Sequence, residues 1–310
     1  MQIYPLVSVV LATYNGENFL VEQLDSVFSQ TYPNIEVISV DDASNDKTLS
    51  ILKEYQLRYS NMQVYQNKKN LGYIKNFERA CTLAKGDYIS LCDQDDVWNL
   101  DKVKLMVDKI KDCILVYCDS YICRQNLQTD KEKVSDRVNY RDWNTCLQQV
   151  IFSRIYGHAL LFKRELLNSA IPFTEIIPHD WWIIFNAVLK GRVKYIAEPL
   201  VYYRQHDMNA VGVIGRKEKP KTHVEIKDEN VYNYKTRMRI KLFYEACPET
   251  MPKEKQVLRQ LQESYKDFSF KNNLKRMILF FKHKDVFLAT KRYSLLHKNL
   301  FCLKMFLKIK

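Results

Sequence analysis

Glycine is scarce in this 310-residue chain, seven in all, and none of the seven builds a phosphate cradle. No G-x-x-x-x-G-K-[ST] occurs, which argues against a P-loop nucleotidase. No G-x-G-x-x-G follows the first strand-like run, which argues against a dinucleotide-binding dehydrogenase. A nucleotide here is held, if at all, without a glycine loop. The eight cysteines are scattered and no C-x-x-C pair exists. Cys113, Cys118 and Cys123 recur evenly but have no neighbouring histidines, so they read as small buried apolar residues rather than zinc ligands. Together with the lack of a signal peptide, this usage suits a reducing cytoplasm. No uncharged apolar run reaches the roughly 20 residues of a membrane-spanning helix, so the chain is expected not to cross a bilayer.

What is present is a foldable and strongly basic chain. It is 46% hydrophobic and 13% aromatic, enough for a real core. Its formal net charge of +12 points to an anionic partner: nucleic acid, an acidic membrane surface or a phosphorylated substrate. In the first half, apolar runs alternate with helical patterns. Leu6–Ala12, Ile35–Val40, Met62–Tyr65 and Tyr88–Cys92 read as strands, and 18–29, 47–59 and 75–84 as helices. Short connections between them predict an α/β fold with a parallel sheet. Ligands of such sheets bind beyond the carboxyl ends of the strands, so the polar loops after Ala12, Val40 and Cys92 are expected to meet at one crevice. There Asp42 is placed to accept from a base N–H, and Asn15 and Glu17 to hold the ribose or base edge. The capped-turn reading of residues 41–46 stands beside this one.

The loop Asp93-Gln94-Asp95-Asp96 puts three acids in four residues. Either they cap a helix starting near Asn99, or their repulsion is relieved by Mg²⁺ or Mn²⁺, hard cations that take carboxylate oxygen.

Val9–Asn15, Val40–Asp46 and Asp93–Asp96 stand in an order and spacing that resemble the family 2 glycosyltransferases. His179-Asp180-Trp181-Trp182 and Tyr203-Arg204-Gln205-His206 with Asn209 resemble the acceptor-side motifs of the same family. The likeness covers about residues 5–212. It implies a GT-A fold with a mostly parallel central sheet and an inverting, metal-dependent enzyme using nucleotide-diphosphate sugars. By the same likeness Thr13, Tyr14, Asn15, Asn76 and Asp93 belong to the donor side, Asp95 to the cation and Asp180 to the proton-accepting base. Gly72–Phe77, Cys92–Trp98 and His179–Trp182 are similar to the bacterial rhamnosyltransferase branch, which builds surface polysaccharides from dTDP-rhamnose. The Gln-x-x-Arg-Trp of processive synthases is absent, which implies one sugar added per encounter.

Inverting transfer needs one carboxylate near the acceptor hydroxyl and a separate cation at the leaving diphosphate. His179-Asp180 also makes sense as a plain cap on the helix running to Lys190. Trp181 and Trp182 offer flat faces to an acceptor sugar, but adjacent helical residues diverge, so at most one is expected to face the site. The strand-like runs 193–196 and 200–203 deliver Arg204 and His206 on one face, suited to a diphosphate contact and a third metal ligand.

From about Gly215 the composition shifts. The division expected is a catalytic domain over 1–212, a charged linker over 213–230 and a basic helical region over 231–310. The last forty residues hold eleven Lys or Arg against one acid, Asp285, interleaved with large apolar residues. That pattern fits an interfacial helix on an anionic leaflet, where a polyprenyl-diphosphate-linked saccharide acceptor would sit. It also fits helices packed on the catalytic domain. Nucleic acid has no role beside these motifs. Two other readings of the crevice are a sugar-nucleotide-binding module without turnover and a nucleotidyltransferase.

Overall fold

The computed structural model describes residues 4–206 and 229–307, and the side chains of 229–232 are not among those described. The strands are β1 (Val7–Thr13), β2 (Ile35–Asp41), β3 (Met62–Gln66), β4 (Tyr88–Cys92), β5 (Val97–Trp98), β6 (Leu115–Cys123), β7 (Leu160–Lys163) and β8 (Val193–Arg204). They form one eight-stranded sheet in the order β3-β2-β1-β4-β7-β6-β8-β5. β1 pairs in parallel with β2 and β4, β2 with β3, and β6 with β8. The strands β7 and β5 run antiparallel to their neighbours. The expected α/β class with a mostly parallel sheet is what the chain adopts.

The helices of the first two-thirds are α1 (Leu20–Phe28), α2 (Thr48–Arg58), α3 (Tyr73–Leu83), α4 (Lys102–Ile110), α5 (Val134–Arg137), α6 (Leu167–Ala170) and α7 (His179–Lys190). Successive strand residues point to opposite faces, and the two cores follow that alternation. Val7, Val9 and Leu11 of β1 meet Leu20 and Leu24 of α1, Leu52 of α2 and Met106 of α4. Val10 of β1, Ile89 and Leu91 of β4 and Phe162 of β7 meet Phe77 of α3 and Ile183 and Ile184 of α7. Apolar residues on both faces make the strands near-continuous hydrophobic runs, as a sheet covered on two sides requires.

The C-terminal helices are α8 (Glu229–Ala246), α9 (Pro252–Ser264), α10 (Phe270–Phe287) and α11 (Leu295–Leu307). Phe243, Leu258, Leu261, Phe280, Phe287 and Met305 join the α7 side of the core, so the inner faces of these helices pack on the rest of the chain. Their outer faces do not. Phe270, Leu274 and Ile278 of α10 and Leu296, Leu300, Leu303 and Leu307 of α11 are exposed, each set at helical spacing. The linker expected at 213–230 lies outside the described residues apart from Glu229 and Asn230, as does Asn209. Among the described residues no helix is long and apolar enough to cross a membrane. All eight cysteines are buried and unpaired.

Candidate active site

Parallel pairing of β1 with β2 and β4 sets Thr13 beside Asp41 and Leu11 beside Cys92, so the three polar loops leave the sheet on one side. They are tied together there. The Gln94 side chain accepts from the Tyr14 N–H at 2.8 Å and donates to the Tyr14 carbonyl at 3.0 Å. Gly16 permits this approach, because a methyl built on it would lie 2.3 Å from Gln94 Oε1. Above the loops is a cleft of about 580 Å³, lined in part by Thr13, Tyr14, Asn15, Asp42, Asn76, Asp93, Asp95, Gly157, His179, Asp180 and His206.

The acids divide into two layers. Asp95 faces the cleft and its Oδ2 lies 2.8 Å from His206 Nε2, although 111 residues separate them. Phe19 holds the His206 ring, stacked at 4.6 Å between centroids. Asp96 points the other way. It is fully buried, accepts from the Arg204 N–H at 3.0 Å, and places Oδ2 3.2 Å from His158 Nδ1. Burial pushes its carboxyl well above the ordinary range, and the charges of Asp95 and Asp93 add to this. Lys102 is buried below, donating to the His158 carbonyl at 2.8 Å with its ammonium over the Trp98 ring, and burial lowers it to about 8.

Two oxygen-and-nitrogen sets therefore suit a hard divalent cation. Asp95 with His206 is one. Asp93, Asp96 and His158, whose ligand atoms lie within 4.8 Å of one another, is the other. Asp96 Oδ2 and His158 Nδ1 are both buried without a hydrogen-bond partner, which fits a bound ion, but they sit close enough to share one proton. Only the first set is wholly on the cleft wall.

Asp180 lies in the first turn of α7, half-buried on that wall. Its Oδ1 accepts from the Trp181 N–H at 2.6 Å. Burial raises its carboxyl to about 7, against the Trp181 N–H, and the charge of Asp93 adds to the rise. A carboxylate poised near neutrality is what a general base needs.

Other residues singled out from sequence hold the cleft together. Asp42 accepts from Asn67 Nδ2, Leu71 N and Gly72 N at 2.6 to 2.9 Å, which anchors the start of α3 and leaves little capacity for a nucleobase. Asn76 is buried, accepting from Asn67 and donating to the Val40 carbonyl. Thr13 is buried against Asp41. Asn15, at φ 46°, takes the Asn45 N–H on its side-chain oxygen.

Four placements differ from expectation. Glu17 does not line the cleft: its carboxylate accepts from the Lys47 N–H at 2.9 Å, stitching the β1 and β2 loops. Arg204 is 2% exposed and turned inward, donating to the carbonyls of Asp95 and Gln125 and pairing with Glu22, so it braces the acidic loop instead of meeting a diphosphate. Trp182 is core, donating to the Ala170 carbonyl at 2.8 Å and stacking near Phe185 and Phe243. Trp181 donates to the Gln149 carbonyl and lies under Arg239 and beside Phe243. Neither indole lines the cleft, because α8 covers the side of α7 that carries them. Tyr156, His158 and Tyr203 do line it. Tyr203 stands in the motif that also carries Arg204 and His206, whereas the signal for Tyr156 and His158 is only the Gly157-His158 pair ahead of the apolar run 159–162.

The profile described as Glycosyl transferase family 2 matches residues 8–169. A dTDP-rhamnosyl transferase, RfbG of Shigella flexneri, is 32% identical over 216 residues, covering 65% of this chain and 73% of that one. This chain belongs to glycosyl transferase family 2. Another relative, an uncharacterized glycosyltransferase of Haemophilus influenzae, is 27% identical over 252 residues, 76% of each chain. Among solved structures, S. aureus TarS 1–349 in complex with UDP-GlcNAc superposes with a TM-score of 0.57 at 18% identity, covering 91% of this glycosyltransferase and 81% of that chain. The mannosyltransferase PcManGT of Pyrobaculum calidifontis, in complex with GDP-Man and Mn²⁺, gives 0.53 at 17%, covering 98% and 81%. These neighbours agree with the GT-A arrangement of sheet and cleft.

Proposed function

We propose that this glycosyltransferase inverts configuration at the anomeric carbon, moving one sugar from a nucleotide-diphosphate donor to a saccharide acceptor. The observation that carries the reading is that Asp180 and the Asp95–His206 pair, distant in sequence, line one cleft. Asp95 and His206 would hold Mg²⁺ or Mn²⁺, which when bound neutralises charge on the leaving diphosphate. The Asp180 carboxylate takes the acceptor hydroxyl proton as that oxygen bonds to the anomeric carbon. The bond from that carbon to the diphosphate oxygen breaks with its electron pair on the oxygen. Asp93, Asn15 and Tyr14 stand on the donor side. The donor is read as dTDP-rhamnose on the strength of the relative's name and of a cleft walled by Phe19, Tyr73, Phe77 and Tyr156, which suits a sugar bearing a methyl in place of a hydroxymethyl group.

The setting is read as surface-polysaccharide assembly on the cytoplasmic side, with the chain docked peripherally on an anionic leaflet. The exposed Leu296, Leu300, Leu303 and Leu307 of α11 and Phe270, Leu274 and Ile278 of α10, flanked by exposed Lys271, Lys275 and Lys304, support this. A second copy would bring like charges together on that face.

The deciding experiment incubates the full chain with dTDP-rhamnose, Mn²⁺ and a saccharide acceptor. Release of dTDP with a product anomer opposite to the donor's is expected. A product of retained configuration, or pyrophosphate in place of dTDP, would overturn the assignment.

A further inference from the structure

His179 opens α7 beside the base, and its ring is 5% exposed. Neither ring nitrogen has a hydrogen-bond partner. The ring stacks on Phe77 at 4.3 Å and 20°, with Phe173 behind it and the edge of Tyr73 at 5.7 Å. Those neighbours would pack equally well on phenylalanine, which brings no polar atom into the site. An imidazole buried with both nitrogens unmatched carries a desolvation cost that packing does not return. The ring lines the cleft wall, and a methyl built on Gly157 would lie 3.3 Å from its Nε2 and 3.8 Å from Asp180 Cβ. Gly157 thus abuts Nε2 and the base together, with no side chain of its own between them and the cleft.

We propose that His179 is a specificity-determining residue whose imidazole hydrogen-bonds a hydroxyl of the sugar carried by the donor. This rests on the reading of Asp180 as the base, since the reacting sugar must lie between Asp180 and the Asp93–Asp95 loop. The nucleotide end is served instead by the loops after β1 and β2. Burial holds the ring's pKa down to about 4, with the charge of Asp93 opposing the fall, so near neutrality the ring offers one donor, one acceptor and no charge. An imidazolium in that place would draw the Asp180 carboxyl down and weaken it as a base.

The test measures binding by calorimetry with the full chain and Mn²⁺. It uses whichever of dTDP-rhamnose, UDP-glucose, UDP-GlcNAc and GDP-mannose the wild type binds most tightly, together with the matching nucleoside diphosphate. His179→Phe keeps the stacking and removes both nitrogens. It should leave nucleoside diphosphate affinity within about two-fold and weaken the nucleotide sugar about 10- to 100-fold, the range for a sugar hydroxyl left unmatched in a site built to bond it. His179→Gln, which restores a donor and an acceptor, should recover part of that loss. Among donors lacking one hydroxyl each, one should bind wild type and His179→Phe equally. Gly157→Ala should act in the same direction by crowding Nε2. Equal weakening of both ligands would make the ring structural and overturn the proposal. So would unchanged binding of the nucleotide sugar, or an equal penalty with every deoxy donor. If His179→Phe does not fold, His179→Gln decides: donor affinity at least as weak as that of His179→Ala overturns the proposal, and recovery above it supports the proposal. A wild type that binds none of these nucleotide sugars overturns the donor-site reading of the cleft, and this proposal with it.

Discussion

Replacing Asp180 by asparagine alters the fewest atoms and should act on catalysis and stability in opposite directions. In the proposed role the ionised form takes the proton, so wild-type kcat/KM should rise with pH and level off above about 7, the value to which burial lifts this carboxyl. The amide introduced by Asp180→Asn cannot accept the proton, and turnover should fall by about 10²- to 10⁴-fold across the whole range. Stability follows from the same pKa. The unfolded carboxyl titrates near its ordinary 3.8 and the folded one near 7, so between those values the native state keeps a proton that the unfolded state has released. The contribution of this carboxyl to wild-type stability therefore falls as pH rises through that window and is flat above it. At 1.36 kcal/mol per pH unit the full difference is about 4 kcal/mol. Because the side chain is only half-buried and meets cleft water, about 2 to 4 kcal/mol is expected. Asp180→Asn is neutral throughout, so it should match wild type near pH 4 and exceed it by that amount at pH 8. Urea unfolding followed by circular dichroism in metal-free buffer at pH 4, 6 and 8, together with initial rates of nucleoside diphosphate release, measures both arms. Equal stabilities at pH 8 would show that the carboxyl is solvated like any surface acid. Undiminished turnover would remove Asp180 from the chemistry.

Four further outcomes follow from the same structure. Asp95→Ala and His206→Ala should each weaken Mn²⁺ binding at least about 10-fold by electron paramagnetic resonance titration, whereas equal affinity would move the cation to the Asp93, Asp96 and His158 set. Arg204→Ala removes the brace on the acidic loop and should lower stability by roughly 3 kcal/mol in urea, with Arg204→Lys recovering little because an ammonium cannot reach three diverging acceptors. Trp182→Ala should destabilise by about 3 to 5 kcal/mol while leaving nucleoside diphosphate affinity unchanged, and a selective loss of acceptor binding in a folded variant would return the indole to the site. Replacing Leu296, Leu300, Leu303 and Leu307 together by serine should abolish flotation with anionic liposomes, and undiminished flotation would refute docking through α11.

The first half of the fold was legible because β1, β2 and β4 are buried on both faces and end in polar loops, two of them acid-rich, a pattern with few other meanings. β6 was not. Its Leu115–Cys123 mixes Tyr117, Asp119 and Ser120 with two cysteines, and Asp119 is buried only because Ser135 N and the Tyr195 hydroxyl satisfy it, partners that no local pattern reveals. β8 read as two strands because Pro199 interrupts it, yet the pairing shifts register opposite Asp119 and carries the strand through. The meeting of Asp95 and His206 was anticipated from the strand that delivers His206. The inward turn of Arg204 was not, since period two gives a side chain's face and not what waits there. The tryptophans were misplaced for a related reason. Their burial depends on Phe243 of α8, which lies beyond the stretch from which the cleft was read.

The bracing of the acidic loop by Arg204 bears on how such an enzyme acquires a different sugar. One guanidinium spans the Asp95 carbonyl, the Gln125 carbonyl and Glu22, and the backbone N–H of the same residue holds Asp96, so that loop is a fixed floor whose alteration would loosen three parts of the chain at once. Diversification is left to the walls, at Tyr73, Tyr156, Gly157 and His179, where a substitution can redraw the outline of the chamber while the cation end stays as it was.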